Sequence, residues 1–463
     1  MPTTILQATV GAGKTEAALR RLAQVATTSP TSFPKMWVLL ATKRQEVAFR
    51  ERLALLDPTQ SVYFNVEFFQ FYDLNERLLR LAAKPTRRIK EPARFGLLRR
   101  ILSEMQAQDK LTVFGPIATK SGFVQAVADL IYELKQNLVY PEDFRRVAET
   151  GTAKDRELAL IYERYQQILL QHDLVDREGE GWLALSAVNA DPTLADDVRL
   201  LLVDGYDQFT VSQARMLAAL SGRVNDVAIT LTSVPEREST IGRRFEGALS
   251  RVQKAHQRAE ADLHTSDLPD LTNRHAELLA LGKNIQRDVP KVDPKAEVSR
   301  VQLLEAPEPA QEVAAVLRRI KALLLDGTRP DDILVAIRDW SRYHLHFAAY
   351  QRLYDLPLLL HHTADLMRNP ALVALLDILR LSDGPYDPAQ PDKGFARRAV
   401  LDVLRSPYVQ VPALHDPHTI DLLERISREK TLISGRDAWL EAIEAASEMA
   451  TDLQEDAEDD FDE

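Results

Sequence analysis

Short apolar runs alternate with helical patterns in the first part of the chain. Ile5-Leu6 is the first run, residues 36–41 form a longer one, and a third lies within residues 62–71. Segments rich in good helix formers separate them. This β–α–β rhythm over residues 1–75 predicts an α/β fold, with a parallel sheet that carries helices on both faces.

A helical period replaces this alternation over residues 76–189. Apolar residues there recur three and four positions apart, as on the buried face of a helix. Two such stripes are Phe123, Val124, Val127, Leu130, Ile131 and Leu134, and Leu158, Ile161, Tyr162, Tyr165, Ile168 and Leu169. They indicate core packing rather than a site, and the segment is predicted to be a large helical insertion in the α/β domain.

Strand patterns return at 198–204 and 227–232, which extends the first domain over residues 190–260. Residues 260–298 are polar. A predicted strand at 301–304, a helix at 310–325 and a strand at 333–337 then indicate the start of a second α/β domain, at 298–365. Residues 366–450 again have a helical pattern, interpreted as an incomplete helical insertion.

Composition narrows the class of protein. The 463 residues are 45% hydrophobic and 27% charged, and no long apolar run predicts a membrane span. There is no basic, apolar leader, so the cytoplasm is the predicted location. With no cysteine, no disulfide, thiolate zinc site or iron–sulfur cluster is expected. Eight carboxylates and no base in residues 451–463 predict an acidic, disordered tail, without which the net charge of −11 falls close to neutral.

A glycine-rich turn follows the first strand and ends in Gly-Lys-Thr. Backbone N–H groups of such a turn face a phosphate chain, while the lysine adds a charge and the threonine hydroxyl can hold Mg²⁺. Ala8 replaces the usual first glycine. The predicted ATP-binding residues are Ala8, Gly11, Ala12, Gly13, Lys14, Thr15 and Glu16. A chance glycine turn, or a nucleotide that is structural and not hydrolysed, are the alternatives.

A P-loop site also needs a carboxylate at the end of a neighbouring buried strand. Asp204 ends the run Leu200-Leu201-Leu202-Val203 and is the predicted partner of Thr15 on Mg²⁺, directly or through water. Motor ATPases normally have a second acid at the next position, where this chain has Gly205. Asp207 is the next acid along. The sequence therefore favours nucleotide binding over hydrolysis, with a strand-end cap as the alternative role of Asp204.

Nine lysines and arginines lie between Arg77 and Arg100 against the single acid Glu91. Such a cluster suits contact with a phosphate backbone, and Arg87 and Arg88 are its predicted DNA-binding members. A solvated basic helix face explains the charge equally well.

Several blocks together resemble the N-terminal portion of the AddB family, the second subunit of bacterial AddAB helicase–nucleases. They keep their order over most of the chain, and the Asp-Gly-aromatic block is the most discriminating. The blocks are Ala8-x4-Gly13-Lys14-Thr15, Ala41-Thr42-Lys43-Arg44-Gln45, Phe71-Tyr72-Asp73-Leu74, Ser121-Gly122-Phe123, Tyr162-x2-Tyr165, Leu174-Val175-Asp176-Arg177-Glu178, Asp204-Gly205-Tyr206-x2-Phe209-Thr210, Glu312-Val313-x3-Leu317-x2-Ile320, Ile337-Arg338-Asp339 and Leu404-Arg405-Ser406-Pro407-Tyr408.

The resemblance implies RecA-like parallel sheets of the superfamily-1 helicase type, and a role in ATP-dependent processing of double-strand DNA ends for recombination. It implies DNA and an AddA-like motor subunit as partners, with weak or absent motor activity in the chain itself. Thr42, Lys43, Arg44 and Tyr72 would line a single-strand track by stacking and phosphate contact. In tandem RecA-like folds Arg338 would reach across to the γ-phosphate and act catalytically with Lys14 and Asp204.

Members of the family also carry a C-terminal nuclease domain with an iron–sulfur cluster. Neither that domain nor its cysteines is found here, so we expect a truncated or split product without nuclease activity. Two other hypotheses remain. One is a non-catalytic scaffold that holds DNA and a motor partner around a structural nucleotide, and the other is a P-loop small-molecule kinase, which the length and the insertion disfavour.

Overall fold

The computed structural model describes residues 3–27, 33–56, 62–233, 240–269, 275–284, 299–360, 366–381, 394–410 and 417–445. The chain divides into two units, Met1–Gln302 and Leu303–Glu463. The predicted disordered tail at 451–463 lies outside the described residues.

The first unit is built on one six-stranded sheet in which every pairing is parallel. The strands are β1 (Thr3–Ala8), β2 (Lys35–Leu40), β3 (Val66–Phe69), β4 (Val198–Asp204), β5 (Val227–Thr232) and β6 (Leu263–Asp267). Their order is β3-β2-β4-β5-β1-β6, so β5 lies between β1 and β4. Because the strands are parallel, the residues that follow Ala8, Leu40 and Asp204 meet at one edge of the sheet.

Helices cover both faces of this sheet, as predicted. Those of the unit are α1 (Lys14–Thr27), α2 (Lys43–Leu56), α3 (Phe71–Leu81), α4 (Glu91–Ala107), α5 (Ser121–Gln136), α6 (Pro141–Glu149), α7 (Ala153–Gln171), α8 (Arg177–Ala190), α9 (Val211–Ser221), α10 (Thr240–Arg258) and α11 (Ala276–Asn284). One face packs on α1 and α2 through Leu19, Leu22 and Phe49. Because both faces are covered, strands β2 and β4 are apolar in most positions.

The structure has a further strand, β6, in the stretch after residue 260 that the sequence pattern describes only as polar. It adds to the sheet beside β1, with Thr3 opposite Leu263 and Gln7 opposite Asp267. Four of its five side chains are exposed. The strand escapes prediction from sequence because an edge strand held by backbone pairing needs no apolar alternation.

Helices α3 to α8 occupy the segment predicted to be a helical insertion, between β3 and β4. Both predicted stripes fall on helices, with Val124 and Ile131 buried on α5 and Tyr162 and Tyr165 buried on α7. These side chains belong to the same apolar cluster as Trp37 of the sheet. The insertion and the second face of the sheet therefore share one core.

The helix prediction at 310–325 is confirmed by α12 (Pro309–Leu325) of the second unit, but the strands predicted on either side of it are wrong. Residues 301–304 and 333–337 are not in any sheet among the described residues. Ile333, Val335 and Ile337 pack against the apolar cluster that contains Val313 and Leu317 of α12. Burial of this one face explains their apolar alternation without pairing to another strand. A second RecA-like domain at 298–365 stays a prediction.

The remaining elements of the second unit are helical. They are α13 (Trp340–Tyr354), α14 (Pro370–Leu381), α15 (Arg397–Arg405) and α16 (Pro417–Glu429). Residues 436–445 are also helical. Leu401, Ile420 and Trp439 form a small core of their own. In the described part of the chain, no helix is both long and apolar enough to cross a membrane.

Candidate functional site

The glycine-rich turn joins β1 to α1 at the carboxyl edge of the sheet. Gly11 and Gly13 have φ values of 75° and 94°, which side chains rarely adopt and glycine adopts freely. Ala8 is buried and lies opposite Thr232 of β5, so the sheet accommodates the methyl group that replaces the usual glycine hydrogen. The predicted strand–turn–helix arrangement is present.

Lys14, the first residue of α1, turns back over its own loop. Its Nζ donates to the carbonyl oxygens of Thr9 at 2.9 Å and Ala8 at 3.3 Å. The ammonium group is thus held against the carbonyl dipoles of the turn, beside the start of α1, where the helix dipole favours negative charge. Glu16 lies one residue past Thr15 and pairs with Arg20 at 3.1 Å and Arg52 at 3.2 Å, which partly neutralise its charge.

Asp204 lies next to Thr15 although 189 positions separate them. The hydroxyl of Thr15 donates to Oδ2 of Asp204 at 2.9 Å, and the hydroxyl of Thr230 on β5 donates to Oδ1. The aspartate is only 5% exposed. Thr15 and Asp204 therefore meet at one edge of the sheet, with Lys14 next to Thr15 in the chain. Sequence reasoning misses Thr230 because it lies inside an apolar strand pattern that gives no sign of a polar role.

The turn after Asp204 is shaped by a glycine and an aromatic cluster. Gly205 has a φ of 82°. The Tyr206 hydroxyl donates to the carbonyl of Leu40 at 2.9 Å, and its ring packs against Phe71 and Phe209. Burial raises the pKa of Tyr206, so the phenol stays a donor. This cluster connects the end of β4 to the start of α3.

The predicted DNA-binding residues 42–44 begin helix α2. Thr42 caps the helix by accepting from the Gln45 N–H at 3.2 Å, and its own N–H donates to Oε1 of Gln45 at 3.1 Å. Lys43 pairs with Glu46 at 2.7 Å, and Arg44 is exposed. Because β2 lies beside β4, this loop and the turn after Asp204 are neighbours at the same edge.

Tyr72, on α3, has one face of its ring covered by Arg177 from α8. The guanidinium carbon lies 3.5 Å from the ring centre, a close cation–π contact. The Tyr72 hydroxyl is 3.4 Å from that of Tyr132, and burial raises its pKa. Sequence reasoning gives Arg177 no role of its own, although it lies in the block Leu174–Glu178 that carries part of the family resemblance.

Several residues of the basic cluster between Arg77 and Arg100 are buried or form ion pairs within the protein. Arg88 pairs with buried Glu180 at 3.1 Å, and Thr86 donates to the same carboxylate at 2.8 Å. Arg94 is buried. Other members pair with acids on the surface, namely Arg77 with Glu67, Arg80 with Glu76 and Arg100 with Glu104. The remaining members are exposed, namely Lys84, Arg87, Lys90 and Arg99.

A buried ionic group lies behind Tyr72 and Arg177. Lys135 contacts both oxygens of Asp176 at 2.8 and 2.7 Å, and Asp176 also accepts from the Tyr165 hydroxyl at 3.0 Å. Glu178 is buried beside them, with Arg94 at 3.8 Å and no hydrogen-bond partner for either oxygen among the described residues. Burial first, and the negative charge of Asp176 second, raise the pKa of Glu178 to about 7.

Arg338 is exposed in the second unit, directly after segment 333–337. It lines a groove of about 640 Å³ together with Glu312, Asp339 and Arg342. Its predicted approach to a γ-phosphate stays a prediction. The described residues contain no cluster of three or more histidines or acids that could hold a metal ion. Binding of Mg²⁺ by Thr15 and Asp204 stays a prediction.

The all-parallel sheet, with its glycine turn and helical insertions, defines a RecA-like α/β protein. Residues 6–275 match the family model described as "ADDB, N-terminal", and the chain belongs to this family.

Curated relatives extend well beyond the matched region, and each is named as a subunit of an ATP-dependent helicase/deoxyribonuclease. The chain is 26% identical over 309 residues to the relative from Bacillus subtilis, covering 61% of this chain and 26% of the relative. It is 28% identical over 308 residues to the protein of the same name from Bacillus velezensis, covering 62% of this chain and 25% of the relative. It is 24% identical over 344 residues to that of Exiguobacterium sibiricum, covering 72% of this chain and 28% of the relative. The chain thus spans about a quarter of the length of these relatives.

Proposed function

We propose that the chain binds Mg²⁺–ATP and single-stranded DNA as the helicase-like part of a helicase–nuclease subunit that processes double-strand breaks. The observation that carries the nucleotide half is the 2.9 Å contact between Thr15 and Asp204. Two ligands on adjacent corners of an octahedral Mg²⁺, each at about 2.1 Å, are about 3 Å apart. The hydroxyl and the carboxylate are already at that separation, which supports a shared metal.

The glycine turn supports the phosphate-binding half of the site. Its backbone conformation presents N–H groups at the start of α1, where an anion is favoured. Lys14 now donates to two carbonyl oxygens of the turn. We propose that phosphate oxygens replace these acceptors, so that the ammonium group moves from the loop to the nucleotide. When bound, Mg²⁺ would neutralise phosphate charge.

The DNA half rests on the edge where the turn after Asp204 meets the start of α2. Exposed Arg44, and Lys43 beside it, offer charge to a phosphate backbone, and Tyr72 offers one ring face for a base. We include Arg177, because its guanidinium lies on the other face of that ring. Arg87 remains a proposed phosphate contact, whereas the pairing of Arg88 with Glu180 makes Arg88 a weaker candidate.

The names of the relatives bear on the partner, because each is one subunit of an ATP-dependent helicase/deoxyribonuclease. We therefore propose an AddA-like motor as the partner, with DNA ends as the substrate of the assembly. Nuclease activity is not proposed for this chain.

The test is equilibrium binding of a fluorescent ATP analogue with Mg²⁺ to the wild-type chain and to Lys14→Ala. We expect binding that is at least about tenfold weaker in Lys14→Ala, since a charge-assisted contact to phosphate contributes about 1.5–3 kcal/mol. Lys110→Ala, which removes an exposed lysine after α4, is the matched control and should bind as wild type. Equal affinity of wild type and Lys14→Ala would refute the phosphate-binding role of the turn.

A second candidate function is a scaffold that holds DNA and a motor around a structural nucleotide. Gly205 favours it, because the position after Asp204 offers no second acid. ATP turnover that is stimulated by DNA and lost in Asp204→Ala would exclude the scaffold.

A further inference from the structure

Strand β5 carries a buried threonine on the face of the sheet that packs against α1. Side chains of a strand alternate between its two faces, so Thr230 lies on the same face as Ala228, two positions before it. Ala228 belongs to the apolar cluster that contains Leu19 and Leu22 of α1. Thr230 is only 3% exposed, and an apolar β-branched residue would suit such a position in a parallel strand. The hydroxyl group at this position therefore needs an explanation.

The partner of this hydroxyl group is the carboxylate of Asp204. Strands β4 and β5 are neighbours with Val203 opposite Ile229, so the next residues, Asp204 and Thr230, are level with each other. The Thr230 hydroxyl donates to Oδ1, and the Thr15 hydroxyl donates to Oδ2 at 2.9 Å. Each oxygen of the carboxylate thus has its own donor, one from the neighbouring strand and one from the end of the glycine turn.

The two donors differ in how firmly they fix the carboxylate. The last side-chain torsion of an aspartate is broad, so the carboxylate can rotate unless its surroundings hold it. Thr230 is buried in the middle of the sheet, and its β-branched side chain has few rotamers, so its hydroxyl group holds Oδ1 in one place. With Oδ1 held, Oδ2 is directed toward Thr15, in the turn that would receive the nucleotide.

We propose that Thr230 is a positioning residue for Mg²⁺, which orients the carboxylate of Asp204 so that Oδ2, beside Thr15, faces the metal ion. This inference rests on the proposed nucleotide-binding function. The hydrogen of the Thr230 hydroxyl is committed to Oδ1, so Thr230 acts through Asp204 and not on the nucleotide. Hydrogen-bonded partners behind metal-binding side chains typically contribute about 10- to 100-fold to metal affinity.

The experiment measures how much Mg²⁺ tightens nucleotide binding. The dissociation constant of the full chain for a fluorescent ATP analogue is determined in excess Mg²⁺ and in EDTA, and the ratio of the two values is the Mg²⁺-dependent gain. Thr230→Val keeps the shape and removes the hydroxyl group, whereas Thr230→Ser keeps the hydroxyl group. Thr265→Val, the same change at an exposed position of β6, is the matched control. The melting temperature of every protein is measured alongside.

We expect Thr230→Val to lose about tenfold or more of the Mg²⁺-dependent gain, while its binding in EDTA stays within about threefold of wild type. Thr230→Ser and Thr265→Val should keep the wild-type gain. In a chain that already carries Asp204→Ala, Thr230→Val should have no further effect on the gain, because the group that it orients is gone.

Full retention of the gain in Thr230→Val would overturn the inference. Equal weakening with and without Mg²⁺ would overturn it too, since that is the result of a purely structural role. Should Thr230→Val fail to fold, the gain is read from Thr230→Cys, whose thiol is only a weak donor. Failure of the proposed function gives a different result, because wild type and Lys14→Ala would then bind the nucleotide equally. Lys14-dependent binding without any Mg²⁺-dependent gain in wild type would refute the role of Thr230 alone.

Discussion

Glu178 makes the first unit less stable as the pH rises, and the effect can be worked out from its surroundings. Its carboxyl group is buried beside Asp176, neither oxygen has a hydrogen-bond partner among the described residues, and Arg94 is 3.8 Å away. Burial first, and the negative charge of Asp176 second, raise its pKa from 4.5 to about 7, against a smaller opposing effect of Arg94. The folded chain therefore holds the proton more tightly than the unfolded chain does.

The sign follows from proton linkage. Below pH 4.5 the carboxyl group is protonated in both states and no stability is lost. Between pH 4.5 and 7 the unfolded state ionises first, so the free energy of unfolding falls, and above pH 7 the full cost remains. A difference of about 2.5 pKa units, at 1.36 kcal/mol for each unit, corresponds to about 3 kcal/mol. This trend is opposite to that of acids whose pKa is lowered by folding.

Glu178→Gln removes the ionisation and keeps the shape. Relative to wild type, we expect its unfolding free energy to increase by about 2.5 kcal/mol between pH 5 and pH 8, because part of the full effect is already present at pH 5. Urea unfolding at several pH values measures this through tryptophan fluorescence. Both tryptophans of the second unit are replaced by phenylalanine in every protein compared, so that Trp37 and Trp182 report on the unit that contains Glu178.

Glu133→Gln, an equal charge change at an exposed site on α5, is the control and should track wild type at every pH. A difference between Glu178→Gln and wild type that stays constant across this pH range would refute the reasoning. It would mean that Glu178 keeps its ordinary affinity for protons despite its burial.

Three further predictions concern the same helical region. Lys135→Met leaves Asp176 buried without its cation and should cost about 3–5 kcal/mol in urea unfolding, whereas a double change that also makes Asp176 apolar should recover part of that loss. Glu157 is buried, yet N–H donors of the loop before α5 lower its pKa, so the stability that it contributes is lost as the pH falls. In Glu157→Gln the melting temperature should therefore fall less steeply toward acid pH than in wild type, and an unchanged pH dependence would contradict this. Arg177→Ala uncovers Tyr72 and should weaken single-stranded DNA binding by about 1–3 kcal/mol in fluorescence anisotropy, to the same level as Tyr72→Ala if the two act as one stack.

Local sequence signals are sufficient where the chemistry depends on consecutive residues. The glycine turn is recognisable because its φ values require glycine at Gly11 and Gly13, and Asp204 because it ends an apolar run. The hydroxyl of Thr15, at the end of this turn, lies 2.9 Å from Oδ2 of Asp204. The two residues meet because β1 and β4 end at the same edge of the parallel sheet, which the β–α–β rhythm predicts.

The residues that sequence reasoning misses act through contacts between distant segments. Thr230 lies in an apolar strand, and Arg177 meets its ring partner from another helix. No periodicity encodes such meetings. The strand predicted at 333–337 is wrong for a different reason. Apolar alternation shows that one face of a segment is buried, but not that a second strand pairs with it.

The shared core of the sheet and the helices between β3 and β4 has a mechanical consequence. Trp37 and Leu39 from the strands touch the same continuous apolar body as Ile131 and Tyr162 from the helices. The described apolar residues of these strands and helices thus form one cluster, so a bend between the sheet and the helices would expose apolar surface to water. A movement at the glycine turn would therefore be transmitted rigidly through the first unit. Deletion of residues 76–189 would expose apolar surface on both the sheet and the excised helices, and neither piece would be functional alone.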